Sequence, residues 1–353
     1  MQRRTREAAV SRSISIADIA RAANVSHSTV SRALRDSPLI SAEVRARVQQ
    51  IASEMGYVPN AIAQSLKERR TNTIGLVVTT IADPFYADVT KGVEETARPA
   101  GLSVFLSATY GDPMQELAAI ETFRRRQVDG IIVISSRIEA HHRERLRRTR
   151  LPIVVVNSQA STGGHALTSV LIDDYAGAHL AMRHLLTIGH RRIAYIGVSN
   201  RPFSNERRHA AYIDALRAAG ITPDPALTVV AQADPGPEAD DVPLGAAALT
   251  RLLPLRPTAV FCYNDMLAIG ALQSARAHGL SVPKHLSLVG FDDIATAQYV
   301  EPPLTTVAQP RLELGRRAMQ MLHRLLAGQP VTSAVLKPDL TLRASTGPPD
   351  RNQ

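Results

Sequence analysis

Two short helices joined by a tight turn are predicted by the stretch Ile16-Ala-Asp-Ile-Ala-Arg-Ala-Ala-Asn-Val-Ser-His-Ser-Thr-Val-Ser-Arg-Ala-Leu, residues 16–34. Ser15 precedes it, and Asp18 follows three residues later, which is the spacing of a capping box at a helix N-terminus. The apolar stripe of this first helix consists of Ile16, Ile19, Ala20 and Ala23. Asn24 tolerates the left-handed conformation that ends a helix.

The second helix of this stretch begins at the cap Ser26 and runs to about Leu34, with Val30 and Ala33 facing inward. A third helix begins after the cap Ser41. Its apolar positions are Val44, Val48, Ile51 and Met55, and Gly56 stops it. Residues 14–58 therefore form a small all-α module.

The outer face of the second helix is small, polar and basic, as a helix in a DNA major groove about 12 Å wide requires. Arg32 suits bidentate pairing with guanine, and His27 and Ser28 can reach base edges. The N-termini capped by Ser15 and Ser26 can hold phosphates. The predicted DNA-contacting residues of the module are Ser15, Ser26, His27, Ser28, Thr29, Ser31 and Arg32. The alternative is an ordinary three-helix bundle with a polar surface.

The charge distribution favours the DNA-binding alternative. The chain has 353 residues and a formal charge of +9. Residues 1–72 contain twelve Arg and Lys against six Asp and Glu, so two-thirds of the excess lies on one-fifth of the chain. A basic module on a nearly neutral body is typical of nucleic-acid-binding proteins.

After the polar junction 68–73, strands and helices alternate. Strands are predicted near residues 74–80, 102–107, 130–135, 153–157, 170–172, 192–197, 227–230, 259–263 and 286–291. Helices are predicted near 85–99, 113–126, 174–188, 205–219, 265–278 and 310–327. Such alternation predicts parallel sheets covered by helices, and about 280 residues fit two α/β lobes with a cleft better than one sheet.

Ligands of open α/β sheets bind beyond the carboxyl ends of the strands, where this sequence has polar residues. Those that follow predicted strands are Asp83, Ser135, Ser136, Asn157, Asn264, Asp265, Asp292 and Asp293.

The whole chain resembles the LacI/GalR (lactose-repressor) family of transcriptional regulators. Residues 16–34 resemble its DNA-binding headpiece, with Asn24 where the family usually has Gly. The body resembles the two-lobed type I periplasmic-binding-protein fold, most clearly at residues 185–197, 262–270, 288–293 and 301–307. We expect the Pro302-Pro303 pair to stiffen a crossover near the lobe hinge. The resemblance implies that His27, Ser28 and Arg32 read bases.

Residues 59–70 look like the hinge of that family. Asn60 can cap a helix over 61–67, which is too short to be stable alone in water. The resemblance implies that Leu66, with Ala63 beside it, wedges into the minor groove, as other apolar side chains do. The alternative for Leu66 is a contact onto the next domain.

The resemblance also implies an effector site in the cleft. Its expected residues are Phe85, Tyr86, Ser135, Asn157, Arg208, Asn264, Asp292 and Gln309. Carboxylate, guanidinium and amide groups suit a polyhydroxylated ligand. Alternatives remain a surface salt bridge to Glu206 for Arg208 and a helix cap for Asp292. Asp293 is taken as the cap of the following helix.

The expected organisation is a basic disordered arm (1–13), a helix-turn-helix domain (14–58), a hinge helix and linker (59–70), a two-lobed effector-binding and dimerisation domain (71–345) and a tail (346–353). Phosphate-loop, dinucleotide-binding, nucleophile-elbow and zinc-protease motifs are absent from the sequence. The single cysteine, Cys262, lies in an apolar strand and reads as a core residue. We therefore expect no enzyme activity, no cofactor and no metal.

The sequence predicts a repressor that binds a palindromic double-stranded DNA operator as a homodimer under control of a sugar-like effector. Residues after 335 have no leucine heptad, so no helical tetramer is expected. The N-terminus has no apolar signal segment, and no apolar run is long enough to span a membrane. We therefore expect a cytoplasmic, nucleoid-associated protein. One alternative is control by a protein partner such as a phosphorylated carrier protein, and a remote one is a solute-binding protein.

Overall fold

The computed structural model describes residues 14–58, 70–135, 151–157, 168–232, 236 and 240–350. The chain divides into two compact units, one within residues 1–71 and one within 72–353. The arm 1–13, most of the expected hinge, and Asn60, Ala63 and Leu66 lie outside the described residues.

The first unit contains three helices, α1 (Ile16–Ala23), α2 (His27–Ala33) and α3 (Ala42–Glu54). The predicted caps are confirmed: Ser15 and Asp18 form a capping box, and Ser26 and Ser41 each accept from a first-turn backbone N–H. Asn24 ends α1 at φ 51°, in the left-handed region. The apolar core of this unit is formed by Ile19, Ala23, Val30, Ala33, Val48 and Ala52.

The second unit contains two six-stranded sheets, which confirms the prediction of two α/β lobes. The first lobe has the strand order β11-β5-β4-β3-β1-β2, and the second has β12-β10-β9-β8-β6-β7. The strands are β1 (Thr73–Val78), β2 (Ser103–Ala108), β3 (Gly130–Ile134), β4 (Ile153–Val156), β5 (Thr168–Ile172), β6 (Ile193–Val198), β7 (Thr228–Ala231), β8 (Ala259–Cys262), β9 (Ser287–Asp292), β10 (Thr305–Ala308), β11 (Ala334–Leu336) and β12 (Asp339–Thr341). Neighbours pair in parallel, except that β12 is antiparallel to β10.

Helices cover both sheets. They are α4 (Pro84–Ala97), α5 (Pro113–Arg125), α6 (Asp174–Thr187), α7 (Pro202–Ala218), α8 (Asp241–Leu252), α9 (Asp265–Ala277) and α10 (Arg311–Leu326). α6 follows the first lobe's β5 but packs in the core of the second lobe, whereas α10 follows the second lobe's β10 and packs in the first. The chain therefore crosses between the lobes after β5, β10 and β11.

Four elements were missing from the sequence prediction: α8, β10, β11 and β12. The pattern of α8 is interrupted by Pro243 and Gly245, and β11 and β12 have three residues each. Gly245 is needed because a Cβ there would lie 2.1 Å from the carbonyl oxygen of Leu267 in α9. The close packing of α8 against α9 thus explains Gly245, which by itself would predict a helix break.

The expected role of the Pro302-Pro303 pair was wrong. These prolines lie between β9 and β10 within the second lobe, where the Pro303 carbonyl accepts from Ala344 N. The C-terminal segment also packs on this lobe, because the buried His190 ring contacts the Gly347 carbonyl at 2.9 Å. Cys262 is fully buried, as predicted. No helix among the described residues is long and apolar enough to cross a membrane.

Candidate functional site

The outer face of α2 is open to solvent. His27, Ser28 and Arg32 are exposed, and Ser31 is half-buried. Ser31 is engaged locally, since Arg35 Nη2 donates to its hydroxyl and Arg35 Nε to its carbonyl, both at 2.9 Å. The predicted base-reading side chains therefore lie together on one accessible helix face.

Hydroxyl groups cluster at the N-terminus of α2. Ser26 Oγ accepts from Thr29 N at 3.1 Å and lies 2.8 Å from both Ser28 Oγ and Thr29 Oγ1. At the start of α1, Ser15 Oγ donates to the Asp18 carboxylate at 2.6 Å, so the capping serine is hydrogen-bonded to a residue of the same helix. These contacts preorganise the two helix starts.

Arg208, in α7, is a buried arginine of the two-lobed unit. It is 3% exposed, and it holds Asp174 at 2.7 Å and the Tyr263 carbonyl at 2.5 Å. Its guanidinium lies 3.5 Å from the ring centroid of Phe291 and 4.3 Å from that of Tyr263. The alternative of a surface salt bridge to Glu206 was wrong, because the side chain points into the protein. Burial raises the pKa of Asp174, and Arg208 opposes that shift.

Asp292 ends β9 and is 5% exposed. Its carboxylate accepts from Gln309 Nε2, and its carbonyl accepts from Arg311 Nη1. Burial raises the pKa of Asp292 well above the ordinary value, while Arg208 acts in the opposite direction.

Neither Asp292 nor Asp293 caps a helix, so the helix-cap alternative for Asp292 and the helix-cap prediction for Asp293 were both wrong. The following 3-10 helix, Ala295–Gln298, has Ile294 at its cap position without a side-chain hydrogen bond. Asp293 instead pairs with Arg343 at 2.5 Å, because the C-terminal segment folds back onto this loop.

An ion network that sequence reasoning missed connects the two lobes. Arg201, at the start of α7, pairs with Asp83 of the first lobe at 3.3 Å and with Asp241 of the second at 2.7 Å. Asn264 Nδ2 also donates to Asp241, at 2.6 Å, while its Oδ1 caps α9. The strand-end rule could have found Arg201, which follows β6 by three residues.

The remaining predicted effector residues lie at the carboxyl ends of first-lobe strands. Phe85 and Tyr86 open α4 and are 7% and 2% exposed, with their rings edge to face at 5.3 Å. Asn157 follows β4, and its Oδ1 accepts from Ile172 N at 3.0 Å, which ties β4 to β5. Ser135 follows β3 at φ 56°.

Two buried acceptor atoms of the described residues have no hydrogen-bond partner: Asn200 Oδ1 and Gln309 Oε1. Asn200 follows β6 and Gln309 follows β10, so both lie at the carboxyl edge of the second sheet. Buried polar atoms are rarely left unsatisfied, so each of these two atoms has room for a hydrogen bond from a ligand or a water molecule.

A helix-turn-helix headpiece followed by a two-lobed α/β body is the architecture of a DNA-binding regulator with an effector domain. Two sequence families match the chain: "Bacterial regulatory proteins, lacI family" over residues 15–60 and "Periplasmic binding protein-like domain" over residues 182–346. The chain belongs to the LacI family, whose members are transcriptional regulators, and it has the DNA-binding and effector domains of a LacI-family repressor.

Three similar proteins support this assignment. The HTH-type transcriptional repressor CytR of Escherichia coli is 37% identical over 334 residues, 93% of this chain and 95% of its own. The ribose operon repressor of Haemophilus influenzae is 35% identical, over 93% of this chain and 97% of its own. A lac repressor dimer bound to operator and an anti-inducer matches with a TM-score of 0.84 and 25% identity, covering 95% of this chain and 100% of that one.

Proposed function

We propose that this protein represses transcription as a homodimer on a two-fold operator, and that a small sugar-like effector in the cleft between its lobes controls the affinity for DNA. One observation supports the proposed control by an effector. Arg208 is ion-paired and stacked on aromatic rings, and Asp292 is buried beside it. Two unpartnered acceptors, on Asn200 and Gln309, lie along the carboxyl edge of the second lobe's sheet, where Asp292 also ends β9. Open α/β sheets bind ligands at this edge.

In the proposed complex with DNA, His27, Ser28 and Arg32 read base edges from the exposed face of α2. Two headpieces lie one helical turn of DNA apart, which matches a palindromic operator to a two-fold dimer. Asn60 caps the hinge helix, and Leu66 with Ala63 enters the minor groove. Residues 14–58, 59–70 and 71–345 are the corresponding headpiece, hinge and effector domain.

Dimerisation is proposed through the first lobe, where β2 is an edge strand with unusually exposed apolar side chains. Phe105 and Leu106 are 46% and 42% exposed, and Ile81 and Met114 are 67% and 66% exposed. Phe105 and Leu106 belong to β2, Ile81 follows β1, and Met114 lies in the first turn of α5, directly after β2, so exposed apolar side chains surround this edge of the sheet, which a second copy can cover. Light scattering should give the mass of two chains; a mass of one or four would contradict this arrangement.

Thermal shift of the full chain against sugars, sugar acids, sugar phosphates and nucleosides tests the effector half. A ligand at 100 times its dissociation constant adds about 2.7 kcal/mol, which moves the midpoint by several degrees. A hit whose shift is lost in Arg208→Lys supports the proposed site. A flat screen with folded protein, together with capture of a phosphorylated carrier protein, would contradict control by a small molecule.

Leu66→Ala tests the hinge. We expect specific operator binding to fall more than binding to random DNA, since a wedge needs the specific, bent complex. An equal loss on both DNAs in a gel-shift titration would remove the wedge from the proposal.

A further inference from the structure

The three arginines that the described residues place around the cleft are all engaged by the protein itself. Arg201 holds Asp83 and Asp241, Arg208 holds Asp174, and Arg311 holds Asp88 at 2.9 Å. Arg311 also donates to the Asp292 carbonyl. An anionic ligand would therefore meet guanidinium groups whose positive charge is already balanced by carboxyl groups of the protein.

Acidic side chains outnumber the arginines among the described residues of the cleft. The groups are Asp83, Asp88, Asp174, Asp241 and Asp292 against Arg201, Arg208 and Arg311. Asp292 has an amide rather than a guanidinium as its side-chain partner. Burial raises the pKa of both Asp83 and Asp292, because desolvation disfavours negative charge at these two positions. A phosphate or carboxylate brought into this region loses hydration without gaining a free cation.

The unpartnered atoms of the site are acceptors. Gln309 Nε2 donates to Asp292, and this contact fixes the amide so that Oε1 is the atom left over. Asn200 Oδ1 is the second. Hydroxyl, amino and amide N–H groups satisfy such atoms, whereas phosphate oxygens cannot, because ionised phosphates are acceptors themselves.

We propose that the cleft selects an uncharged or cationic ligand that is rich in O–H or N–H donors, and that it rejects the phosphorylated or carboxylated form of the same molecule. This inference rests on the proposed function of the cleft as the effector site. Within that function, it separates free sugars and nucleosides from sugar phosphates, sugar acids and nucleotides.

The test uses the full chain in two measurements. Calorimetric titration compares matched pairs: ribose with ribose 5-phosphate, glucose with glucose 6-phosphate and gluconate, and adenosine with its monophosphate. In parallel, the protein is saturated with a bacterial small-molecule extract, washed and unfolded, and the released compounds are identified by mass spectrometry. We expect at least tenfold tighter binding of the uncharged member, and released compounds without phosphate or carboxylate.

Tighter binding of the phosphorylated member, or release of an anion, would overturn the inference while leaving an effector site in place. If no member binds and nothing is released, the proposed effector function fails, and the inference falls with it. The two failures are thus distinguishable.

Variants test the cause of the selectivity. Asp241→Asn removes one carboxylate from Arg201 and should reduce the preference for the uncharged member at least tenfold. Asp83→Asn is the second variant, and it should fold because Asn is also a good helix cap. The matched control is Asp224→Asn, a capping aspartate before β7, at the opposite edge of the sheet. If both cleft variants, folded by thermal melting, keep the wild-type preference, paired arginines are not what rejects anions.

Discussion

Most arginine side chains of the headpiece are exposed to solvent, whereas those of the cleft are largely buried in ion pairs. On α2, Arg32 is exposed, and Arg35, which follows the helix, folds back and donates to the Ser31 carbonyl. In the cleft, Arg208 is 3% exposed, pairs with a buried carboxylate and lies between aromatic rings. The headpiece leaves the Arg32 side chain hydrated at its surface, whereas the two-lobed unit has removed Arg208 from water during folding.

Because of this difference, substitution of an arginine should affect folding stability in one region but not in the other. An exposed arginine can be removed with little effect on folding. A buried ion pair that loses one partner leaves an uncompensated charge in the protein. Substitutions in the headpiece should therefore act on DNA affinity, and substitutions in the cleft should act on stability and ligand binding together.

The largest expected effect is that of Arg208→Ala. Removal of the guanidinium leaves Asp174 buried without its partner, which costs about 3–5 kcal/mol of unfolding free energy. Urea denaturation measures the loss. The control is Arg217→Ala on the same helix, whose exposed pair with Asp214 contributes about 0.5 kcal/mol or less. Equal small losses in both variants would mean that the buried pair does not behave as described.

Arg32→Ala comes next and should show the opposite pattern. Operator affinity should fall by about 1–3 kcal/mol with relaxed specificity at one base position, while stability stays within about 0.5 kcal/mol of wild type. Fluorescence anisotropy with operator variants measures both quantities on DNA. Arg47→Ala, an exposed arginine on α3, provides the charge control and should leave base preference intact. An unchanged operator affinity for Arg32→Ala would rule out α2 as the reading face.

A smaller effect is expected at the turn of the headpiece. Asn24 has φ 51°, so Asn24→Ala should cost about 1 kcal/mol or slightly more, because a Cβ-bearing residue without a polar group disfavours this region. Asn24→Gly should be close to neutral. The two variants are compared by thermal unfolding of the headpiece, and similar melting of both would contradict a conformational role for this residue.

The smallest effect concerns pH. The pKa of Asp292 is raised in the folded state, so the folded protein keeps this proton at pH values where the unfolded chain has released it. Stability should therefore fall as pH rises above about 4, through the window between the two pKa values. Asp292→Asn should flatten this fall, since an amide oxygen can still accept from Gln309. Parallel stability curves for the two proteins as pH rises above about 4 would contradict a raised pKa for Asp292.

The local features of this chain could be predicted from its sequence, whereas the pairing of distant side chains could not. Ser15, Ser26 and Asn24 have their roles within a few residues of their own positions, and the structure confirms all three as caps. Arg201 contacts Asp83, which lies 118 residues earlier in the chain. No local pattern encodes such a contact. Asp293 was misassigned for the same reason, because its partner Arg343 is 50 residues away.

Coupling between the cleft and the DNA-binding face is measured by titrating operator DNA with the full chain, with and without a ligand identified in the matched-pair titrations. We expect the ligand to change operator affinity by about 5–150-fold, which corresponds to a coupling free energy of about 1–3 kcal/mol between the two sites. The change should disappear in Arg208→Lys, while operator binding without ligand remains. A ligand that binds to the cleft and leaves operator affinity unchanged would show that the two sites are not coupled.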